Sequence, residues 1–141
     1  MKNLIAFLIL ALGFISTTNA QVEKTLVKSV ALEGSTTAVV MLPGEVEVTE
    51  WDNDFVRVTT NLEIENMNEN IAKQLVIVGR YSLSTQLDKS TNTLTITMPN
   101  IENRVTVKGV ELIEVFNVKV SIPKGYEIVV KETVALEKTT M

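Results

Sequence analysis

The chain has 141 residues, with no cysteine and no histidine, and 13 Lys and Arg against 17 Asp and Glu give it a formal charge of −4. Without Cys and His, disulfide stapling, Cys-His and Ser-His-Asp nucleophile systems and the usual zinc ligand sets are all excluded. The acidic balance and the lack of any basic cluster exclude a nucleic-acid partner, because such affinity comes from clustered Lys and Arg neutralising phosphates.

In chain order, Met1 to Ala20 reads as a signal peptide. Lys2 supplies the positive start, Leu4 to Ile15 is an apolar run, and Ser16-Thr17-Thr18-Asn19-Ala20 is a small, polar stretch ending at a cleavage site. The apolar run is shorter than the roughly 20 residues that cross a hydrocarbon core, so no membrane span is expected after cleavage. The predicted location is exported: periplasm, cell surface or extracellular. The exported part has no Asn-x-Ser/Thr sequence, which fits a bacterial origin. Residues 21–131 then form a single β-rich domain, and 132–141 lack a sustained pattern and are expected to fray.

Val22 to Leu32 alternates imperfectly, with Lys24 and Lys28 sharing the parity of Leu26 and Val30, as in an edge strand. Ala38 to Leu42 is apolar throughout and reads as a central strand covered on both faces. Val46 and Val48 alternate with Glu45, Glu47 and Thr49, and Trp51-Asp52-Asn53-Asp54 then reads as the loop of an antiparallel hairpin. Its second strand is the clearest of all. From Phe55 to Glu65, Val56, Val58, Leu62 and Ile64 fall on one side, and Arg57, Thr59, Asn61, Glu63 and Glu65 on the other.

The pattern then changes period. Asn68 can cap a helix over 69–78 in which Ile71, Ala72, Leu75 and Val76 recur at helical spacing and Gly79 ends the run. Tyr81, Leu83 and Leu87 restore a strand. Leu94, Ile96 and Met98 alternate with threonines, Phe116, Val118, Val120 and Ile122 face away from Asn117, Lys119 and Ser121, and Tyr126, Ile128 and Val130 continue the alternation. All three prolines, Pro43, Pro99 and Pro123, follow such runs and should end them, since proline has no amide proton for a sheet ladder.

Several residues stand out for chemistry. Glu50, Asp52, Asn53 and Asp54 are the densest acidic cluster, but they lack the glycine and the distant glutamate of a calcium loop and read as turn formers, so no metal or cofactor is assigned. Trp51, with Asp52 and Asp54 beside it, is the candidate recognition site: an exposed indole could stack on a sugar or anchor a partner, whereas a packed one would cover the end of a β core. Tyr81 and Tyr126 have inward parity, with hydroxyls expected at the rim. Glu114 shares the parity of Phe116 and reads as a rim residue or an edge device rather than a general acid. Lys108, Lys119, Lys124 and Lys131 punctuate the last strands as gatekeepers against edge pairing. No catalytic residue is assigned.

The run from Leu42 through Pro43, Gly44 and Trp51 to Val58 resembles the strand-turn-strand unit of a bacterial exported family, that of the head domain of proteins named as autotransporter adhesins. Gly79-Arg80-Tyr81-Ser82-Leu83, Ile96-Thr97-Met98-Pro99-Asn100 and Ile122-Pro123-Lys124-Gly125 resemble short exported adhesin-like members from Bacteroidetes, and the likeness covers about residues 36–131. It implies a β-rich envelope or secreted protein without catalytic residues, whose longer relatives stack strands into a solenoid. The short length and the central helix favour a mainly β fold, a compact antiparallel β-sandwich with one short helix; the alternative is a short β-solenoid. The functional expectation is an exported, non-catalytic envelope protein with a structural, adhesive or protein-interaction role, its partner an envelope protein or a surface glycan. The alternative is a small-ligand or glycan-binding module centred on Trp51.

Overall fold

The computed structural model describes residues 21–132; the signal peptide expected at residues 1–20 and nearly all of the expected tail lie outside them. Two four-stranded sheets and one helix enclose a single core, a mainly β, sandwich-like arrangement that no sheet closes into a barrel. The strands are β1 (Val22–Val30), β2 (Thr37–Met41), β3 (Glu45–Trp51), β4 (Val56–Ile64), β5 (Ser84–Asp88), β6 (Thr93–Thr97), β7 (Thr106–Val107), β8 (Val110–Glu111), β9 (Glu114–Pro123) and β10 (Glu127–Val130). The helix α1 (Glu69–Ile77) lies between β4 and β5, and a 3-10 turn spans Pro99–Glu102.

The first sheet has the order β1-β4-β9-β3 and the second the order β10-β2-β6-β5. Pairing is mixed. β1/β4, β4/β9 and β5/β6 are antiparallel, while β3/β9, β10/β2 and β2/β6 are parallel. The alternation read in the sequence fills the core from both sides: Val56, Val58, Leu62 and Ile64 of β4 and Val118 and Val120 of β9 are buried with Val40, Leu94 and Ile96 of the second sheet. Burying such side chains is worth about 1.5–3 kcal/mol each, and with no disulfide possible this burial carries the stability.

Several expectations are corrected. Residues 51–54 do not close a hairpin, because β9 lies between β3 and β4 and takes the ladder of both. The strand expected from Tyr81 starts only at Ser84, since residues 79–83 form the turn that leaves α1. β2 is central, between β10 and β6, but only Ala38 and Val40 are fully buried; Val39 and Met41 face the half-exposed side of the sheet. β1 is an edge strand as expected. Of the four punctuating lysines only Lys119 lies within a strand, and the others occupy turns or the end of β10.

The prolines end or follow strands as anticipated, and Gly44 shows how tight one such corner is. Its φ is +75°, and a Cβ there would lie 2.1 Å from the carbonyl oxygen of Phe116 in β9. Backbone cannot yield as a side-chain tip does. Gly34 also has a positive φ, +82°, but faces open space. Urea unfolding should therefore separate the two: Gly34→Ala loses about 1–2 kcal/mol, the cost of the left-handed conformation alone, and Gly44→Ala loses about 3 kcal/mol or more.

Candidate functional site

The most constrained polar group in the core grows out of the end of α1. Asn68 caps the helix, its side chain accepting from Ile71 N at 2.9 Å. At the other end Gly79 N donates to Val76 O and Arg80 N to Leu75 O, both at 3.1 Å, with Gly79 at φ +82°. This is the paired bonding of a Schellman stop, and it turns the chain so that Arg80 and Tyr81 enter the protein instead of extending the helix.

Arg80 meets Glu114, the first residue of β9. Nε donates to Oε2 at 3.0 Å and Nη2 to Oε1 at 2.8 Å, a two-bonded fork. Nη1 donates to the carbonyls of Asn103 (2.7 Å) and Asn100 (3.3 Å), and Nη2 also reaches that of Ile101 (3.4 Å). All five guanidinium donors are thus engaged. Those carbonyls crowd the C-terminal end of the 3-10 turn, where helical carbonyls lack partners and favour a cation. Tyr81 completes the cluster by donating to Glu114 Oε2 at 2.5 Å, and its ring meets Phe116 edge-on at 6.0 Å. Asn100 returns a bond to Gly79 O at 2.9 Å.

The side chains of Arg80 and Glu114 are only 8% and 9% exposed. Burial by itself would lower the Arg80 pKa, but the hydrogen bond and charge of Glu114 outweigh it and hold the guanidinium above its ordinary value. Burial, reinforced by the bond to Glu114, pushes the Tyr81 phenol well above its ordinary range. Beside the cluster opens a cleft of about 580 Å³, walled by Arg80, Glu114, Phe116, Leu112 and Arg104. Its two buried charges are spent on each other. Glu114 accepts three bonds and every donor of Arg80 is engaged, so the pair is fixed within the cluster and the guanidinium has no donor free to turn toward the cleft.

Glu114 is therefore neither a rim residue nor an edge device, although its inward parity was legible. Arg80 was missed. The available signal was Glu114 itself, since an inward carboxylate needs a cation, and an Arg just after the helix stop is well placed to supply one. Tyr81 fills the core, but its hydroxyl ends on Glu114 and not at the rim. Tyr126 bonds Ser35 Oγ at 2.6 Å, and burial, opposed by that bond, raises its pKa.

Trp51 stands elsewhere, at the end of β3 and with the parity of the outward Glu45 and Glu47. Its ring is half-buried: Nε1 donates to Phe55 O at 2.9 Å, the Phe55 ring packs edge-on at 4.9 Å, and the Arg57 guanidinium lies over it at 4.8 Å. It covers no core end. Asp52 pairs with Lys124 at 2.8 Å in full solvent exposure, and Asp54 is exposed. Among the described residues, the acids at 50, 52 and 54 are not gathered into a group able to hold a metal ion.

No family model and no curated protein sequence matches the chain. Among solved structures, a protein of Clostridium sporogenes named as a candidate cell adhesion protein is similar, with a TM-score of 0.43 and 9% identity over 79% of this chain. The match spans 47% of that protein. No described helix is long and apolar enough to cross a membrane.

Two measurements test the cluster. Arg80→Ala, which leaves the buried Glu114 without its cation and the carbonyls of Ile101 and Asn103 without their Arg80 bonds, should cost about 3–5 kcal/mol in urea unfolding, and Arg80→Lys should not rescue it, because one ammonium cannot replace a five-donor fork. Tyr81, whose folded pKa is raised, stays protonated at a pH where the unfolded chain loses that proton. Its contribution is therefore complete below about pH 10 and falls as pH rises further, and Tyr81→Phe should flatten the alkaline loss of stability.

Proposed function

We propose that the chain is an exported, non-catalytic protein of the bacterial envelope with a structural, adhesive or protein-interaction role. The observation that carries the reading is that Arg80 and Glu114 are bonded to each other and to the fold. The buried ion pair braces three elements, and every donor of its guanidinium is committed to that bracing. The outward face of the first sheet adds to it: Thr25, Asn61, Asn117 and Glu45 lie in one cross-strand row and Val27, Thr59, Lys119 and Glu47 in the next, a broad polar surface on a rigid support. The export signal and the adhesin-like sequence resemblance point to the same compartment. A protein partner is favoured over a glycan, because Arg57 already occupies a face of Trp51.

The test is retention of the labelled chain, Gln21 to Met141, on an envelope fraction of its own organism. Saturable retention abolished by prior trypsin treatment of the fraction is the expected result. Retention abolished by glycosidases instead would move the assignment to a glycan-binding module at Trp51, Asp52 and Asp54. Turnover of a polysaccharide or ester, lost on substituting one carboxylate, would overturn the proposal.

A further inference from the structure

β1 is the outermost strand of the first sheet and pairs only with β4, so its second row of backbone N–H and C=O groups has no ladder partner among the described residues. Alongside it runs a groove of about 220 Å³, walled by Leu26 and Lys28 of β1, Val58 and Thr60 of β4, Val76 of α1 and Leu83 ahead of β5. Leu26 stands opposite Thr60 and Lys28 opposite Val58. The end of α1 that follows Val76 is apolar and open, with Ile77 and Val78 68% and 72% exposed. A free strand edge beside an apolar groove is the geometry in which an added strand gains backbone bonds and places alternate side chains in the groove.

The lysines decide what such a strand must carry. Lys24 and Lys28 share the inward parity of Leu26 and Val30, and inward charges on an edge strand ordinarily repel an added strand. Lys24 is neutralised by its ion pair with Glu69 of α1. Lys28 makes no ion pair among the described residues and is the one charged residue on the groove wall. An uncharged strand laid on β1 would cover that ammonium without compensation, a basic one would repel it, and one with a carboxylate across from it would pair with it.

We propose that the β1 edge is a strand-addition site for an extended apolar segment of an envelope protein, selected by an acidic residue that pairs with Lys28. The proposal rests on the protein-interaction reading above and gives it a place and a ligand chemistry.

The probes are short fluorescent peptides of alternating Val and Thr that differ only at the central residue, Glu, Gln or Lys, with binding to the purified chain read by anisotropy. The Glu peptide should bind about tenfold more tightly than the Lys peptide. Lys28→Glu, at an exposed position where circular dichroism can verify folding, should invert the order. N-methylation of alternate amides along one edge of the Glu peptide should abolish binding, which a purely apolar groove would not do. Equal binding of the three peptides, binding indifferent to N-methylation, or no binding would overturn the proposal whatever the envelope-retention result. A dimer in sedimentation that Lys28→Glu dissociates would also overturn it, by giving the edge to a second copy of the chain.

Discussion

A two-sheet sandwich of this size is held mainly by its apolar interior, but the relative placement of its parts depends on one charge pair. Arg80 leaves the end of α1, Glu114 opens β9, and the three carbonyls that Arg80 also binds belong to the turn after β6. Helix, first sheet and second sheet therefore meet at a single guanidinium. Apolar contacts are tolerant of sliding, whereas a planar fork with five directed donors is not. A well-packed hydrophobic pair can match the net stability of such a pair, because desolvating two charges costs nearly what their attraction returns. It would not specify the angle at which α1 leaves the core or keep the 3-10 turn against the cleft.

What could be read in the sequence followed the physics of period. Strands with one dry face announce themselves, and β4, β6 and β9 lie where alternation put them; the helix was legible from its Asn68 cap, its spacing and Gly79. Partner choice was not legible. Trp51-Asp52-Asn53-Asp54 has turn chemistry, but turn chemistry says only that the chain reverses, and β9 from far along the chain fills the gap between the two strands it joins. The parallel pairings of β2 with β6 and β10 left no mark, because a strand's side-chain alternation is the same whichever way its neighbour runs. At the site, the parity of Glu114 was correct and its meaning was not, since Arg80 comes from a turn that has no periodicity to read. Trp51 was judged as a free indole or a core plug, and its actual neighbours, Phe55 and Arg57, become visible only with the strand register.

The two free edges of the first sheet differ in charge. The β3 edge carries Glu45, Glu47 and Glu50, an acidic border that discourages accretion of further strands. The β1 edge, by contrast, has its inward lysines partly neutralised by the helix and valines or isoleucine exposed nearby. One border is closed by charge and the other is conditional on it.

The position of β9 has a consequence for the order in which the molecule can form. Strands β3 and β4 are made early and are joined by four residues, yet they cannot zip together, because their facing edges belong to a strand not yet delivered. The second sheet has the same character, since β2 must wait for β6 on one side and β10 on the other. Closing such distant pairings requires ordering most of the intervening chain first, which makes folding slow and concerted rather than sequential. Until Glu114 and the residues after it arrive, the oily faces of the early strands stand open together, so the nascent chain is most vulnerable to association just before it is complete, and protection would matter most over that interval.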